Sequence, residues 1–304
     1  MQKTLSKDSS NERKKETLYE KEGTDRELTD EENRKILLEI ISDMIVRTVG
    51  DKGKPAILMI PGMFCTYEMP GIIAEYLKDD YYIILPTLDG HHKEEPVYHS
   101  KQEDAAKIIS WLHENGIEHL ALLQGTSMGA EVALEVADKI DIPVESYLFD
   151  GGPFFHFPRF FRAFMAVKFM SFMKKTKGKE KDQAIQALMD DAFVRKLGGD
   201  SLEAYRGLMN GFCEVSQWIE RDSVRRISDT CYKCDLPDFD EEKIRRFTFL
   251  YSEKEPARQA EKRLRKKYPS AKYVIKQGYG HGGFQGEQPQ QYSEFVRSLL
   301  KNKT

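Results

Sequence analysis

The stretch His119-Leu120-Ala121-Leu122-Leu123-Gln124-Gly125-Thr126-Ser127-Met128-Gly129-Ala130-Glu131-Val132 decides how the chain is read. Residues 120–123 form an apolar run of strand length, and residues 130–134 follow with helix formers. Between them, Gly125-Thr126-Ser127-Met128-Gly129 fits the pattern G-x-S-x-G. A buried strand, a sharp turn and a helix start, in that order, are what a nucleophile elbow requires. Ser127 then sits at the tip of a strained turn. The glycines two residues to either side leave room for neighbouring backbone where a side chain would clash. The helix N-terminus aims its free N–H groups and the positive end of its dipole at the same place.

Outward from this stretch, strands and helices alternate. Pro55-Ala56-Ile57-Leu58-Met59-Ile60 is a fully apolar run that reads as a central strand and turns out through Pro61-Gly62-Met63-Phe64. Residues 71–77 read as a helix, 81–85 as a strand, 87–92 as a loop and 103–114 as a helix. The helix after Ser127 runs to about residue 140, and a further strand over 145–149 ends in Asp150-Gly151-Gly152-Pro153. The connections are too long for hairpins, so the fold class is α/β: a mostly parallel sheet with helices on both faces.

At Pro153 the alternation stops. Residues 154–235 hold no convincing strand and read as an all-helical insertion that opens on a run dense in Phe and Met. Arg159, Arg162 and Lys168 break that run, which argues against a membrane span. Phe157, Phe161, Phe164, Met165 and Phe172 fit one helical stripe, while Phe160, Phe169 and Met173 fall beyond it. One face is expected to pack on the main domain; the rest should line a cleft over Ser127 or meet another apolar surface. A charged linker over 174–182 precedes helices over 184–197 and 202–219. Alternation resumes with a strand at 247–251, a basic helix at 257–268, a strand at 271–276, the glycine-rich run 278–283 and a closing helix at 292–300.

Residues 1–32 are almost all charged or polar and cannot bury enough surface to offset ordering entropy, so they are expected to form a mobile, dispensable arm. Ile36, Leu37, Ile40, Ile41, Met44 and Ile45 recur at helical spacing and predict a packing helix, followed by a loop over 48–54. The organisation expected is therefore an arm at 1–32, a core at 33–153 and 236–304, and a helical insertion at 154–235. The 304 residues are 32% charged and 40% hydrophobic, ordinary for a globular protein. A net charge of −3 gives no electrostatic case for nucleic acid. Among four cysteines, Cys231-x-x-Cys234 lacks two further ligands at zinc spacing, so reduced thiols and no metal are expected. The first residues carry charge but no apolar core, unlike a secretory signal, and a cytoplasmic protein is expected.

A serine hydroxyl is a weak nucleophile without a base in hydrogen-bond reach. Of seven histidines, His281 is best placed, in a glycine-rich loop after the last predicted strand. A third group must orient the imidazole. Glu255, four residues beyond the 247–251 strand, stands first; Glu253 in the same segment and Asp150 at the end of an earlier strand are the alternatives.

Taken together, residues 55–300 apart from the insertion resemble the α/β-hydrolase superfamily. Ser127, Glu255 and His281 follow that family's chain order of nucleophile, acid and histidine. Ile60-Pro61-Gly62-Met63 looks like its His-Gly-x turn with Pro61 in place of the histidine, which implies an oxyanion hole from the backbone N–H groups of Met63 and Met128. Asp89-Gly90-His91 looks like a shortened D-x-x-G-H-G loop, which makes His91 structural. Ser252-Glu253-Lys254-Glu255-Pro256 resembles the acid-bearing turn with Glu for Asp. The insertion sits where the family places a helical cap. No opening antiparallel hairpin is legible, so the sheet is expected to be shorter by two strands.

The resemblance implies a serine hydrolase, a carboxylesterase-like acyl hydrolase that needs no cofactor and no metal. Phe64, Phe154, Phe157 and Phe161 are the candidate substrate-binding residues, and a hydrophobic small-molecule ester is the expected partner. Acyl transfer or C–C cleavage on the same three residues, and a binding protein without turnover, are the alternatives.

Overall fold

The computed structural model describes residues 44–198 and 202–301. The arm expected over 1–32 and most of the helix expected over 33–45 lie outside these residues.

Seven strands form one sheet: β1 (Val46–Val49), β2 (Ala56–Ile60), β3 (Tyr82–Pro86), β4 (Leu120–Thr126), β5 (Val144–Asp150), β6 (Phe247–Ser252) and β7 (Lys272–Lys276), in the spatial order β1-β3-β2-β4-β5-β6-β7. All pairings are parallel except β1 with β3, where Val46 faces Pro86 and Val49 faces Ile83. The sheet is mostly parallel, as expected.

The central strands read as unbroken apolar runs because both faces are covered. Successive side chains point to opposite faces, and two cores follow. Ile57, Met59, Leu122, Leu148 and Leu250 pack with Ile73 and Leu77 of α1 (Glu68–Leu77) and with residues near the C-terminus. Leu58, Ile60, Leu123, Tyr147 and Phe149 form the other core, against α2 (Lys101–Glu114) and α3 (Met128–Lys139). Ser100 caps α2 by accepting the Glu103 N–H at 3.2 Å, as an N-cap serine should.

Between β5 and β6 the chain runs through α4 (Arg159–Thr176), α5 (Lys181–Met189), α6 (Ala192–Gly198), α7 (Leu202–Val215), α8 (Arg221–Tyr232) and the short α9 (Glu241–Arg245). Among the described residues of this stretch there is no strand, only an isolated bridge between His156 and Lys233. α4 packs along α8. The loop after β3 is tied to α8 by Tyr98, whose N–H donates to Ser223 Oγ at 3.0 Å and whose hydroxyl meets Thr230 Oγ1 at 2.7 Å. The chain closes with α10 (Glu261–Lys267), β7, α11 (Gly283–Glu287) and α12 (Pro289–Lys301). On the first face, Tyr292, Val296 and Leu299 of α12 complete the core.

Four expectations need correction. Met44 and Ile45 are not helical, and residues 46–49 are the antiparallel edge strand β1. Ile45, Val46, Thr48 and Val49 are β-branched, and the open edge of β3 supplies their backbone partners. The sheet therefore has an antiparallel opening strand that the sequence pattern hides. The helix expected over 184–197 is two, broken at Asp190-Asp191, a pair that disfavours helix interior. Asp190 instead accepts from Gln186 and Arg195. The linker expected from residue 174 begins later, because α4 continues to Thr176 and buries it against Ser216. The basic helix expected over 257–268 opens as a single 3₁₀ segment, Pro256–Ala260, before α10.

Candidate active site

Ser127 joins β4 to α3 with φ 57° and ψ −120°, one of two non-glycine residues at positive φ among the described residues. Such a conformation costs on the order of 1–3 kcal/mol and persists only where its surroundings over-determine it. Here they do. A Cβ on Gly125 would lie 2.1 Å from the Gly129 carbonyl oxygen, and one on Gly129 would lie 2.3 Å from that of Pro61. The Ser127 N–H is also fixed, donating to the Asp150 carbonyl at 2.7 Å across the β4–β5 edge. The turn cannot relax without separating β2, β4 and α3.

His281 arrives from the loop after β7, and Glu255 follows β6. His281 Nε2 lies 3.0 Å from Ser127 Oγ, and His281 Nδ1 lies 2.5 Å from Glu255 Oε2. With Nδ1–H donating to the carboxylate, Nε2 is left to accept the serine proton. Glu255 is 4% exposed, and its other oxygen accepts the Ser252 N–H at 2.5 Å. The two alternatives are placed differently. Glu253 accepts from the Gly278 N–H at 3.0 Å and makes no hydrogen bond to the imidazole. Asp150 is buried and accepts from the Tyr292 hydroxyl at 2.9 Å.

Burial works against the charged form of His281. The Glu255 hydrogen bond, the Glu255 charge and then Asp150 outweigh it, so the imidazole titrates above its ordinary value. Asp150 is pushed up to about 7, first by burial and then by the neighbouring Glu255, although Tyr292 and His281 pull it down. The imidazole is thus held by one hydrogen-bonded carboxylate and sensed by a second.

Met128 is the first residue of α3, so its N–H has no partner within the helix. The Pro61-Gly62-Met63 turn passes beside the serine: a Cβ on Gly62 would come within 3.4 Å of the Ser127 Cβ. Phe64, at φ 59° and fully buried, packs edge-on against Phe212, with ring centroids 5.0 Å apart. His91 is fully buried, with Nδ1 2.8 Å from the Asp89 carbonyl, and burial lowers its pKa to about 4.

A cavity of about 890 Å³ opens over Ser127 and His281. Met63, Phe64, Phe157 and Phe161 line it; Phe154 does not. Phe154 points the other way, fully buried against Phe149 and Phe249 with centroids at 6.0 and 5.6 Å. Residues 153–158 lack a regular period, so spacing gave no phase for that side chain. Phe155, Met165, Phe169, Phe172, Met209 and Phe212 line the cavity instead, all from the helical stretch. The stripe on α4 is accordingly Phe161, Met165, Phe169 and Phe172, while Phe164 is exposed. Because α4 starts at Arg159, Phe157 lies outside the helical phase that it was used to set.

No family model and no curated protein matches the chain. Solved structures do resemble it. A protein assigned to the alpha/beta hydrolase family in Desulfitobacterium hafniense superposes with a TM-score of 0.66 at 20% identity, covering 84% of this chain and 100% of its own. The fold is that of the α/β hydrolases. A thermophilic esterase from Thermogutta terrifontis gives 0.62 at 14% identity, covering 85% of this chain and 93% of its own. The enol-lactonase from Burkholderia xenovorans LB400 gives 0.65 at 14% identity, with coverages of 84% and 96%.

Two outcomes are expected from this geometry. Phe154→Ala should lower the free energy of unfolding in urea by about 3–5 kcal/mol, as for a buried core phenylalanine. Ring-proton NMR should find His281 titrating above 6.5. Both carboxylates favour the imidazolium, so Glu255→Gln should move that midpoint to lower pH, and Asp150→Asn should move it the same way by less. A midpoint unmoved by Glu255→Gln would mean that the short contact does not hold the ring.

Proposed function

We propose that the protein is a serine hydrolase that cleaves a hydrophobic carboxylic ester through an acyl-enzyme. The observation that carries this reading is the hydrogen-bonded run Glu255–His281–Ser127, at 2.5 and 3.0 Å, beneath an apolar cavity. In it, Ser127 Oγ attacks the ester carbonyl while His281 Nε2 takes its proton. Glu255 stabilises the imidazolium that forms. The carbonyl oxygen becomes an oxyanion held by the Met63 and Met128 N–H groups, each donor contributing about 2.7–4 kcal/mol. The tetrahedral intermediate expels the alcohol, which leaves with the proton from His281. Water then attacks the acyl-enzyme, giving its proton to His281; collapse returns that proton to Ser127 and frees the acid. None of these steps calls for a metal or an organic cofactor.

In this proposal the helices between β5 and β6 form a cap that roofs the cavity. Phe157 and Phe161 contact the acyl chain from that side, and Phe64 does so from the main domain. The setting is cytoplasmic: the four cysteines are free thiols, as a reducing compartment keeps them. Among the described residues, no helix is long and apolar enough to cross a membrane.

A fluorophosphonate probe should label the wild type at Ser127 and leave Ser127→Ala untouched, with ester turnover lost in that variant. Labelling and turnover that survive Ser127→Ala would remove the serine from the mechanism. Glu255→Gln should reduce turnover by about 10⁴-fold, the scale of a comparable acid-to-amide change. If Asp150→Asn does this instead, the orienting acid is Asp150.

The apolar lining sets a second outcome. Between p-nitrophenyl esters of about two and about eight acyl carbons, kcat/KM should rise by up to about 0.8 kcal/mol per methylene. A flat series would mean that the acyl chain does not enter the cavity.

A further inference from the structure

Five large apolar side chains are exposed among the described residues, and three of them share one helix: Phe160 at 76%, Phe164 at 60% and Val167 at 61%, all on α4. Their spacing, i, i+4 and i+7, places them on one face, with Ala163 and Ser171 exposed beside them. The opposite face of the same helix carries Phe161, Met165, Phe169 and Phe172 into the cavity over Ser127. α4 is thus apolar on both sides, although among the described residues only one side meets a core.

The charge around that face is one-sided. Residues 159–179 contain seven Lys and Arg and no Asp or Glu, in a chain whose net charge is −3. Arg162 and Lys175 are engaged with Asp229 and Asp191. Arg159, Lys174, Lys177 and Lys179 are exposed at the two ends of the helix. An apolar face flanked by cations is how a helix lies in a lipid–water interface.

We propose that the outer face of α4 docks the protein on an anionic lipid surface, from which a hydrophobic ester passes along the helix into the cavity. The passage rests on the ester-hydrolase reading above; the docking does not. Charge complementarity selects the occupant. A second copy would bring the same cluster of cations against itself, whereas acidic headgroups neutralise it and attract each lysine or arginine near the surface. Phe160 and Phe161 are neighbours on opposite sides of the helix start, so the contact face and the cavity lining adjoin.

The test uses the full chain and sucrose-loaded vesicles of phosphatidylcholine, alone or with a minor share of phosphatidylglycerol. The wild type should sediment with the anionic vesicles, less so at high salt. The double variant Phe160→Ser, Phe164→Ser should partition onto them about tenfold more weakly, while hydrolysing a short soluble ester at the wild-type rate. Lys174→Glu with Lys177→Glu, which leaves the apolar face intact, should also weaken sedimentation with anionic vesicles. Ser127→Ala should bind vesicles like the wild type, so a failure of the catalytic reading and a failure of docking are read separately. The proposal is overturned if the wild type stays in the supernatant with anionic vesicles, or if the Phe160→Ser, Phe164→Ser variant sediments as well as the wild type. It is equally overturned if sizing shows a dimer that the two serine substitutions dissolve.

Discussion

The packing of backbone on backbone around Ser127 is the constraint on which the rest depends. β2, β4 and the start of α3 approach so closely at Gly125 and Gly129 that no Cβ fits between them. That contact holds Ser127 at φ 57° and points its side chain out of the sheet. It also leaves the Met128 N–H at the head of α3 beside the same hydroxyl. A serine in an ordinary loop would have neither the fixed direction nor the adjacent donor. The strain is supported by the most deeply buried part of the sheet, where Ile57, Leu58, Leu122 and Leu123 have no exposed surface. Local distortion is stable there because relaxing it would open the core.

The electrostatics above the sheet have a division of labour between two carboxylates. Glu255 is committed: one oxygen is held by the Ser252 N–H and the other meets His281. Asp150 is close enough to be felt and is committed elsewhere, to the Tyr292 hydroxyl. Two ionised carboxylates in one buried site repel. Burial first, and then the neighbouring Glu255, push Asp150 up to about 7. The turn Ser252–Glu255 supplies Glu255 with a backbone donor.

How much of this was legible depended on whether an element is buried on two faces. β2, β3 and the first half of β4 are continuous apolar runs, β5 and β6 are largely buried, and their order with the intervening helices followed from the alternation. That Ser127, Glu255 and His281 come from strand ends could be read because strand ends are where a parallel sheet collects its loops. β1 was missed because an edge strand with Arg47 and Thr48 exposed has little apolar pattern, and its partner β3 is distant in sequence. α8 escaped for the opposite reason: Ser223, Ser228 and Thr230 are half of its buried residues, so its inner face does not look apolar. Phe164 was misplaced because spacing sets a helical phase only once the helix start is known, and Phe154 because it precedes the helix in a stretch with no period.

The two sides of the serine are built from different materials, with a consequence for what sequence change can do. Below it, backbone contacts and buried β-strands leave no freedom. Above it, the cavity wall includes side chains of Met165, Phe169, Phe172 and Met209, on helices outside the sheet. Methionine and phenylalanine there can be exchanged for other apolar residues with little effect on the sheet, since shape rather than hydrogen bonding defines that wall. A buried polar contact lies outside the cavity. Lys101 of α2 bridges Glu131 of α3 at 3.3 Å and the Cys234 thiol at 3.7 Å. Glu131 is fully buried, and burial drives its pKa up to about 7 even with the Lys101 ammonium opposing. Removing one partner of such a buried pair leaves an uncompensated charge, whereas an apolar wall residue leaves only a gap. The direction of Ser127 is therefore fixed by backbone packing in the sheet, whereas the cavity above it is shaped by apolar side chains that this packing does not constrain.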